Sequence, residues 1–133
     1  MKKNYVFCLL LFTFSCVFSV FSQTYTFDDG MVGRVPISFK EGSLIKIQDS
    51  ILLLKMNPVT FDSSVSEYKI VQDQTEKFED REIRTLRLLS SSNKNLRIHG
   101  TIVTGDKVRN TVSANWYNMS TQVTIPLVIY IDN

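Results

Sequence analysis

Cysteine is scarce, and both cysteines lie near the amino terminus. Cys8 and Cys16 are the only two in the chain. We predict below that both belong to a leader which is removed, so the folded part has no cysteine and no internal disulfide, which is unusual for a small exported domain. The 111 residues after position 22 (133 minus 22) can bury enough surface for one ordinary core without a disulfide.

Histidine occurs once, at position 99, and the glycines are too dispersed for a phosphate-binding loop. A metal centre or a serine–histidine site would depend on His99 alone. By alternation His99 shares a face with Arg97 and Thr101, opposite the apolar Ile98. The pattern therefore favours a solvated strand residue over a general base, and it predicts no metal site and no cofactor.

An excess of charge of one sign is also missing. The chain has 15 basic and 13 acidic residues, and Lys2 and Lys3 both lie before position 22, which leaves 15 minus 2, or 13, basic residues against 13 acidic ones. Binding to nucleic acid depends largely on neutralising phosphates with a basic face. Nucleic acid is therefore excluded as a predicted partner.

The amino terminus has the order of a secretory signal peptide. A short basic start, 1–4, leads into the apolar run 5–14, and small side chains at positions 20 and 22 would allow cleavage after Ser22. The apolar run is shorter than the roughly 20 residues that span a bilayer. We predict a bacterial signal peptide over 1–22, no transmembrane anchor, and a product beginning at Gln23 that is secreted or located in the periplasm or cell envelope.

Cys16 raises an alternative, a lipoprotein in which this cysteine is acylated and anchors the domain to a membrane. Ser15 suits that motif, but Thr13 stands where leucine is usual and Phe14 is bulky. An apolar "VFSVF" also follows where a polar tether is expected. The residues favour a chain without lipid.

Residues 23–133 are predicted to form a single all-β domain. Apolar and polar residues alternate with a period of two, which is typical of strands with one buried face, and no segment has a sustained helical period. Pro126 in the last strand cannot donate a ladder hydrogen bond, so that strand is predicted to lie at an edge or to carry a bulge. The predicted strands are 24–27, 31–39, 44–48, 51–56, 65–71, 83–90, 96–102, 108–116 and 121–131.

Turn-forming residues separate these strands at short intervals. The triplet Asp28-Asp29-Gly30 is predicted to be a turn that ends the first strand, and 74–81 could form one short helical turn. Many short strands with even spacing indicate a small antiparallel β-barrel or β-sandwich built from hairpins in a meander.

The segment 76–82 contains four carboxylates interleaved with basic residues. Paired carboxylates can act as acid and base when their environments separate their pKa values. Interleaved cations in a hairpin connection instead indicate a solvated loop. A small hydrolase-like enzyme that uses His99 or the 76–82 carboxylates remains the alternative function.

The main functional hypothesis depends on the aromatic residues, because alternation places most of them on the inward faces of the predicted strands. A small closed barrel can be filled by such side chains or can hold one apolar ligand, as lipocalins do, and that likeness is one of architecture alone. We predict a non-enzymatic domain that binds either a small apolar ligand or, through an exposed strand edge, an envelope protein. Trp116 and Tyr68 are the predicted ligand-binding residues, and Trp116 is the chain's only tryptophan.

Overall fold

The computed structural model describes residues 22–132, which form nine β-strands. The predictions for the leader, including the signal peptide and the roles of Cys8 and Cys16, lie outside these residues apart from Ser22, with which the first strand begins. The strands are β1 (Ser22–Val32), β2 (Val35–Ser38), β3 (Leu44–Gln48), β4 (Ile51–Met56), β5 (Ser64–Lys77), β6 (Glu82–Ser90), β7 (Leu96–Thr104), β8 (Thr111–Asn118) and β9 (Val123–Ile131).

Eight of these strands close into an antiparallel barrel. The sheet order is β2-β1-β3-β4-β5-β6-β7-β8-β9, and a further pairing of β1 with β9 closes it. The closing ladder runs from Phe27 opposite Ile131 to Val32 opposite Leu127. The fold is therefore all-β and is a barrel rather than a sandwich, with β2 as one extra strand beside β1.

The predicted turn at Asp28-Asp29-Gly30 is wrong. β1 continues through this triplet, and the irregularity is a shift in register against β9 between Phe27 and Asp29. The chain reverses later, where Gly33 has a φ of 63°, so the predicted strand 31–39 is instead the end of β1, a tight turn and β2. A bulge of this kind adds one residue and bends a strand without ending it.

Three other local predictions also differ from the structure. Residues 74–77 continue β5 and 78–81 form the hairpin turn, so no helical turn occurs there. Val108 lies in the connection before β8 rather than on a strand. β9 pairs with both β8 and β1 and has no register shift at Pro126, so the expected edge or bulge is wrong.

Pro126 is tolerated because of where β1 ends. Its carbonyl oxygen accepts a hydrogen bond from the Gly33 amide at 2.7 Å. The N–H and C=O groups of one residue in an antiparallel strand point to the same neighbour. The missing N–H of Pro126 would therefore point towards the turn after β1, where no ladder partner requires it.

The core lies inside the barrel and is formed by alternate residues of its strands. The alternation predicted in β7 is confirmed, since Ile98 and Ile102 are buried and Arg97 and His99 are exposed. The rings of Phe27 and Phe39 meet edge to face, with centroids 4.9 Å apart. The buried apolar residues are Phe27, Phe39, Ile45, Ile47, Leu52, Leu54, Tyr68, Leu86, Leu88, Ile98, Ile102, Val112, Leu127, Ile129 and Ile131.

The two ends of the barrel can be defined by their connections. At the open end lie the loops 33–34, 57–63, 91–95 and 119–122, and at the opposite, charged end lie 49–50, 78–81 and 105–110. Within residues 22–132 there is no helix long and apolar enough to cross a membrane.

Candidate functional site

Tyr68 and Trp116 come together at the open end of the barrel. Tyr68 is on β5 and is buried in the core, while Trp116 is on β8 and packs against the core with part of its surface exposed. Both side chains line a small interior cavity and also the pocket above it at the open end. The two residues predicted from the sequence therefore border both the interior cavity and the pocket at the open end.

The barrel interior is filled rather than hollow. Its remaining cavity has a volume of about 40 Å³ and is lined by core side chains such as Leu86, Ile98 and Leu127. Sites for drug-sized ligands usually have volumes of roughly 300–1,000 Å³. The interior therefore has no room for such a ligand between its walls.

A larger pocket opens at the end of the barrel beside Trp116, and we call it the mouth pocket. It has a volume of about 320 Å³. Polar atoms border it at Asn118 and Thr121. It is lined by Tyr68, Leu96, Trp116, Asn118, Thr121, Val123 and Ile125.

The mouth pocket exposes residues that belong to the apolar inner face. Ile125 and Val123 continue the inward alternation of buried Leu127 and Ile129, yet they are 40% and 50% exposed. Val35, which pairs with Val32 on the core side of β1, is 60% exposed at the same end. Alternation along 121–131 predicts only that Val123 and Ile125 lie on the inner face, because alternation gives the face of a strand but not how far its end projects.

Towards the charged end the inner face carries a polar network instead. Arg84 and Asp73 form a two-pronged ion pair, with Nη2 to Oδ2 at 2.6 Å and Nε to Oδ1 at 2.9 Å. Arg84 also donates through Nη1 to the side-chain oxygen of Gln23 on β1. The hydrogen bond with Asp73 raises the pKa of Arg84 above its ordinary value. The exposed apolar residues of the inner face therefore lie at the open end.

His99 and the 76–82 carboxylates lie on different surfaces. His99 is on the outer wall, in a groove lined by Arg87, Arg97 and Tyr117 among others and by no acidic residue. The carboxylates belong to the β5–β6 hairpin at the charged end, where the Arg81 hydrogen bond lowers the pKa of Asp80. Within residues 22–132 the structure thus brings no acid to the groove at His99, and it keeps Asp80 ionised beside a cation.

The charged end also has a wide, open depression of about 640 Å³ between the β5–β6 hairpin and the β7–β8 connection. Its lining includes Lys77, Glu79, Asp80, Arg81 and Asp106. Among residues 22–132 no group of three or more potential ligand side chains is placed to hold a metal ion. Mixed, solvated charges of this kind are typical of a hairpin surface.

Burial of Tyr68 predicts a loss of stability at alkaline pH. Burial raises the pKa of its hydroxyl above the ordinary value of 10.0, and a hydrogen bond with Ser66 opposes this to a smaller extent. The unfolded chain therefore ionises Tyr68 first, so its contribution to stability is intact below pH 10 and is lost as the pH rises above it. Denaturant unfolding should show that the free energy of unfolding falls more between pH 8 and pH 11 for the parent protein than for Tyr68→Phe. Equal falls would contradict this.

Comparison of the chain with protein-family models, with curated proteins and with solved structures finds no match in any of the three. The class is therefore defined by the fold and the site themselves. It is a closed eight-stranded antiparallel barrel with a filled interior and an apolar mouth at one end.

Proposed function

We propose that the protein is a non-enzymatic binding domain that takes a small apolar ligand in the mouth pocket. The observation that carries this proposal is the exposure of inner-face apolar residues at one end only, above all Ile125 and Val123. Apolar surface that the fold leaves in water gains free energy when a ligand covers it. The filled interior limits the ligand to the mouth, where it lies against Trp116 and Tyr68.

The proposal includes export. The leader pattern over 1–22 supports a secreted or periplasmic protein that begins at Gln23 and carries no lipid. The intact mass of the exported product distinguishes a chain that starts at Gln23 from one with an acylated Cys16.

A mutational test compares two exposed apolar residues on the two sides of the wall. We expect Ile125→Ser to weaken binding of neutral 1-decanol about tenfold, because the lost burial of one large aliphatic side chain is worth roughly 1.5 kcal/mol or more. Val65→Ser is the control, since Val65 is 64% exposed but lies on the outer wall, opposite exposed Lys55. Isothermal titration calorimetry gives the affinities, and Trp116 emission reports on the pocket. Equal weakening by both variants would contradict the mouth as the site.

An envelope protein is the second candidate occupant of the open end. Val59, Phe61 and Met119 add exposed apolar surface there outside the pocket, and Phe61 is 64% exposed. Pairing through a strand edge has less support. β2 is the one short extra strand, it contains Pro36, and the Val59 amide bonds to its Ser38 carbonyl at 3.0 Å. Absence of decanol binding together with specific capture of one envelope protein, lost in Phe61→Ser, would favour this candidate.

The hydrolase-like alternative gains no support from the site geometry. The groove at His99 contains no acidic residue, and the 76–82 carboxylates are interleaved with cations at the charged end. General acid–base catalysis needs a positioned group within hydrogen-bonding reach of its partner.

A further inference from the structure

The outer wall of the barrel has a second concave surface, which we call the outer groove. It crosses β6 and β7 and has a volume of about 390 Å³. Val71 borders it on one side, where a register shift in β5 between Ile70 and Gln72 disrupts the ladder, and Tyr117 borders it on the other. Apolar surface at Leu89 accompanies the charged groups between them.

The registers of β6, β7 and β8 place three side chains that can donate hydrogen bonds on this surface, namely Arg87, Arg97 and His99. Arg87 lies directly opposite His99, and Arg97 lies directly opposite both Leu89 and Tyr117. Arg87 and Arg97 are thus diagonal neighbours on adjacent strands, about 7–8 Å apart at their Cα atoms. Their long side chains can reach a single anionic group between them.

The guanidinium groups of this groove have no carboxylate partner. Arg81, Arg84 and Arg109 are each paired with an aspartate. Within the described range 22–132, Arg87 makes no side-chain hydrogen bond or ion pair, and the Arg97 guanidinium contacts the sulfur of Met119. Both arginines are exposed and available to a ligand.

Negative charge is scarce on the wall around the groove. Glu82 is the only acidic residue in β6 to β9, and by alternation with Arg84 and Leu86 it belongs to the inward-facing series at the charged end. β5 also borders the groove and carries exposed Glu67, but exposed Lys69 lies closer to it. Cations therefore outnumber carboxylates around the groove, which favours an approaching anion.

We infer that the outer groove binds a small amphiphilic anion, a molecule with a phosphate, sulfate or carboxylate group attached to an apolar body. Arg87 and Arg97 would hold the anionic group, since guanidinium donors match the oxygens of such anions in pairs. Leu89, Val71 and the ring of Tyr117 would contact the apolar body. The volume of about 390 Å³ suits a free small molecule rather than a flat membrane surface.

The test uses octyl phosphate as the probe. Octanol, which has only its apolar chain, and inorganic phosphate, which has only its anionic group, serve as comparison ligands. Nitrogen–proton correlation spectra of the exported chain should show saturable shifts at Arg87, Arg97, His99 and Tyr117 with octyl phosphate. Affinity should be at least about tenfold weaker for octanol and for inorganic phosphate, because each lacks one of the two recognised parts. The double variant Arg87→Gln/Arg97→Gln should weaken octyl phosphate binding about tenfold or more.

A charge-matched control separates this site from general attraction. Lys46→Gln/Lys55→Gln removes two exposed cations from the outer face of β3 and β4 and should leave the affinity unchanged. Equal weakening by the two double variants would overturn the inference. So would shifts confined to Trp116 and Ile125, equal affinity for octanol, or binding only to vesicles that contain phosphatidylglycerol. The mouth proposal is unaffected by any loss at Arg87 and Arg97, so the two sites fail independently.

Discussion

The Gly30→Ala variant is expected to lose about 2–3 kcal/mol of unfolding free energy, because a new methyl group at this position overpacks the closing seam of the barrel. A Cβ atom at Gly30 would lie 2.5 Å from the carbonyl oxygen of Val128 and 3.4 Å from a ring carbon of Phe39. Val128 belongs to β9, so its backbone cannot move without disturbing the β1–β9 ladder.

Gly100→Ala is the matched control for Gly30→Ala. Both glycines are buried, and both pair with residues of the inner face. A Cβ at Gly100 would meet its nearest atoms at 3.7 Å, which is ordinary contact. Removing a glycine from a strand should then raise stability by up to about 1 kcal/mol. Guanidinium unfolding at pH 7 measures both changes. Equal stabilities for the two variants would show that β1 and β9 are not packed this closely.

The Leu86→Ala variant is expected to lose about 3 kcal/mol of unfolding free energy through lost burial and an enlarged void. Leu86 is 2% exposed, and it lies in β6 opposite Gly100 of β7. It borders the 40 Å³ interior cavity, and its removal would join new space to that cavity. Because the neighbouring position is glycine, no large side chain stands opposite Leu86 to fill the gap.

Leu89→Ala provides the comparison within the same strand. Leu89 faces the outer wall and is only half-buried, so its truncation should cost about 1 kcal/mol or less. Thermal or guanidinium unfolding of the two variants gives the difference. A loss at Leu86 no greater than that at Leu89 would contradict the assignment of β6 residues to inner and outer faces.

The sequence predicted the faces of the strands well where the inner face is buried. In β7 the alternation separates buried Ile98 from exposed Arg97. In β9 it places Ile129 on the buried face, but it does not show that the start of the same face is exposed. The sequence-based prediction failed at Asp28-Asp29-Gly30, where three turn-forming residues follow one another. In the structure β9 pairs with this segment, so the chain continues as a strand with a bulge instead of turning. The pairing of β1 with β9, which closes the barrel, joins the first and last described strands, and no local sequence pattern predicts such a distant pairing.

Alternation also predicted part of the candidate site, but not the part that depends on strand ends and strand pairing. Tyr68 and Trp116 were identified from their alternation with apolar neighbours, and the structure places both at one cavity. Exposure of Val123 and Ile125 depends on how the tilted strands end relative to one another, which alternation does not encode. The outer groove depends on register in the same way, since Arg87 and Arg97 come together only through the pairing of β6 with β7.

The position of a bound apolar ligand tests the central proposal most directly. Isotope-filtered nuclear Overhauser spectra of the methyl-labelled protein with neutral 1-decanol would locate it. We expect contacts from decanol to the methyl groups of Leu96, Val123 and Ile125 and to the Trp116 ring, with none to Ile102 deep in the barrel. Contacts to Ile102 and Leu86 without Ile125, or no saturable binding at the mouth, would contradict the proposal.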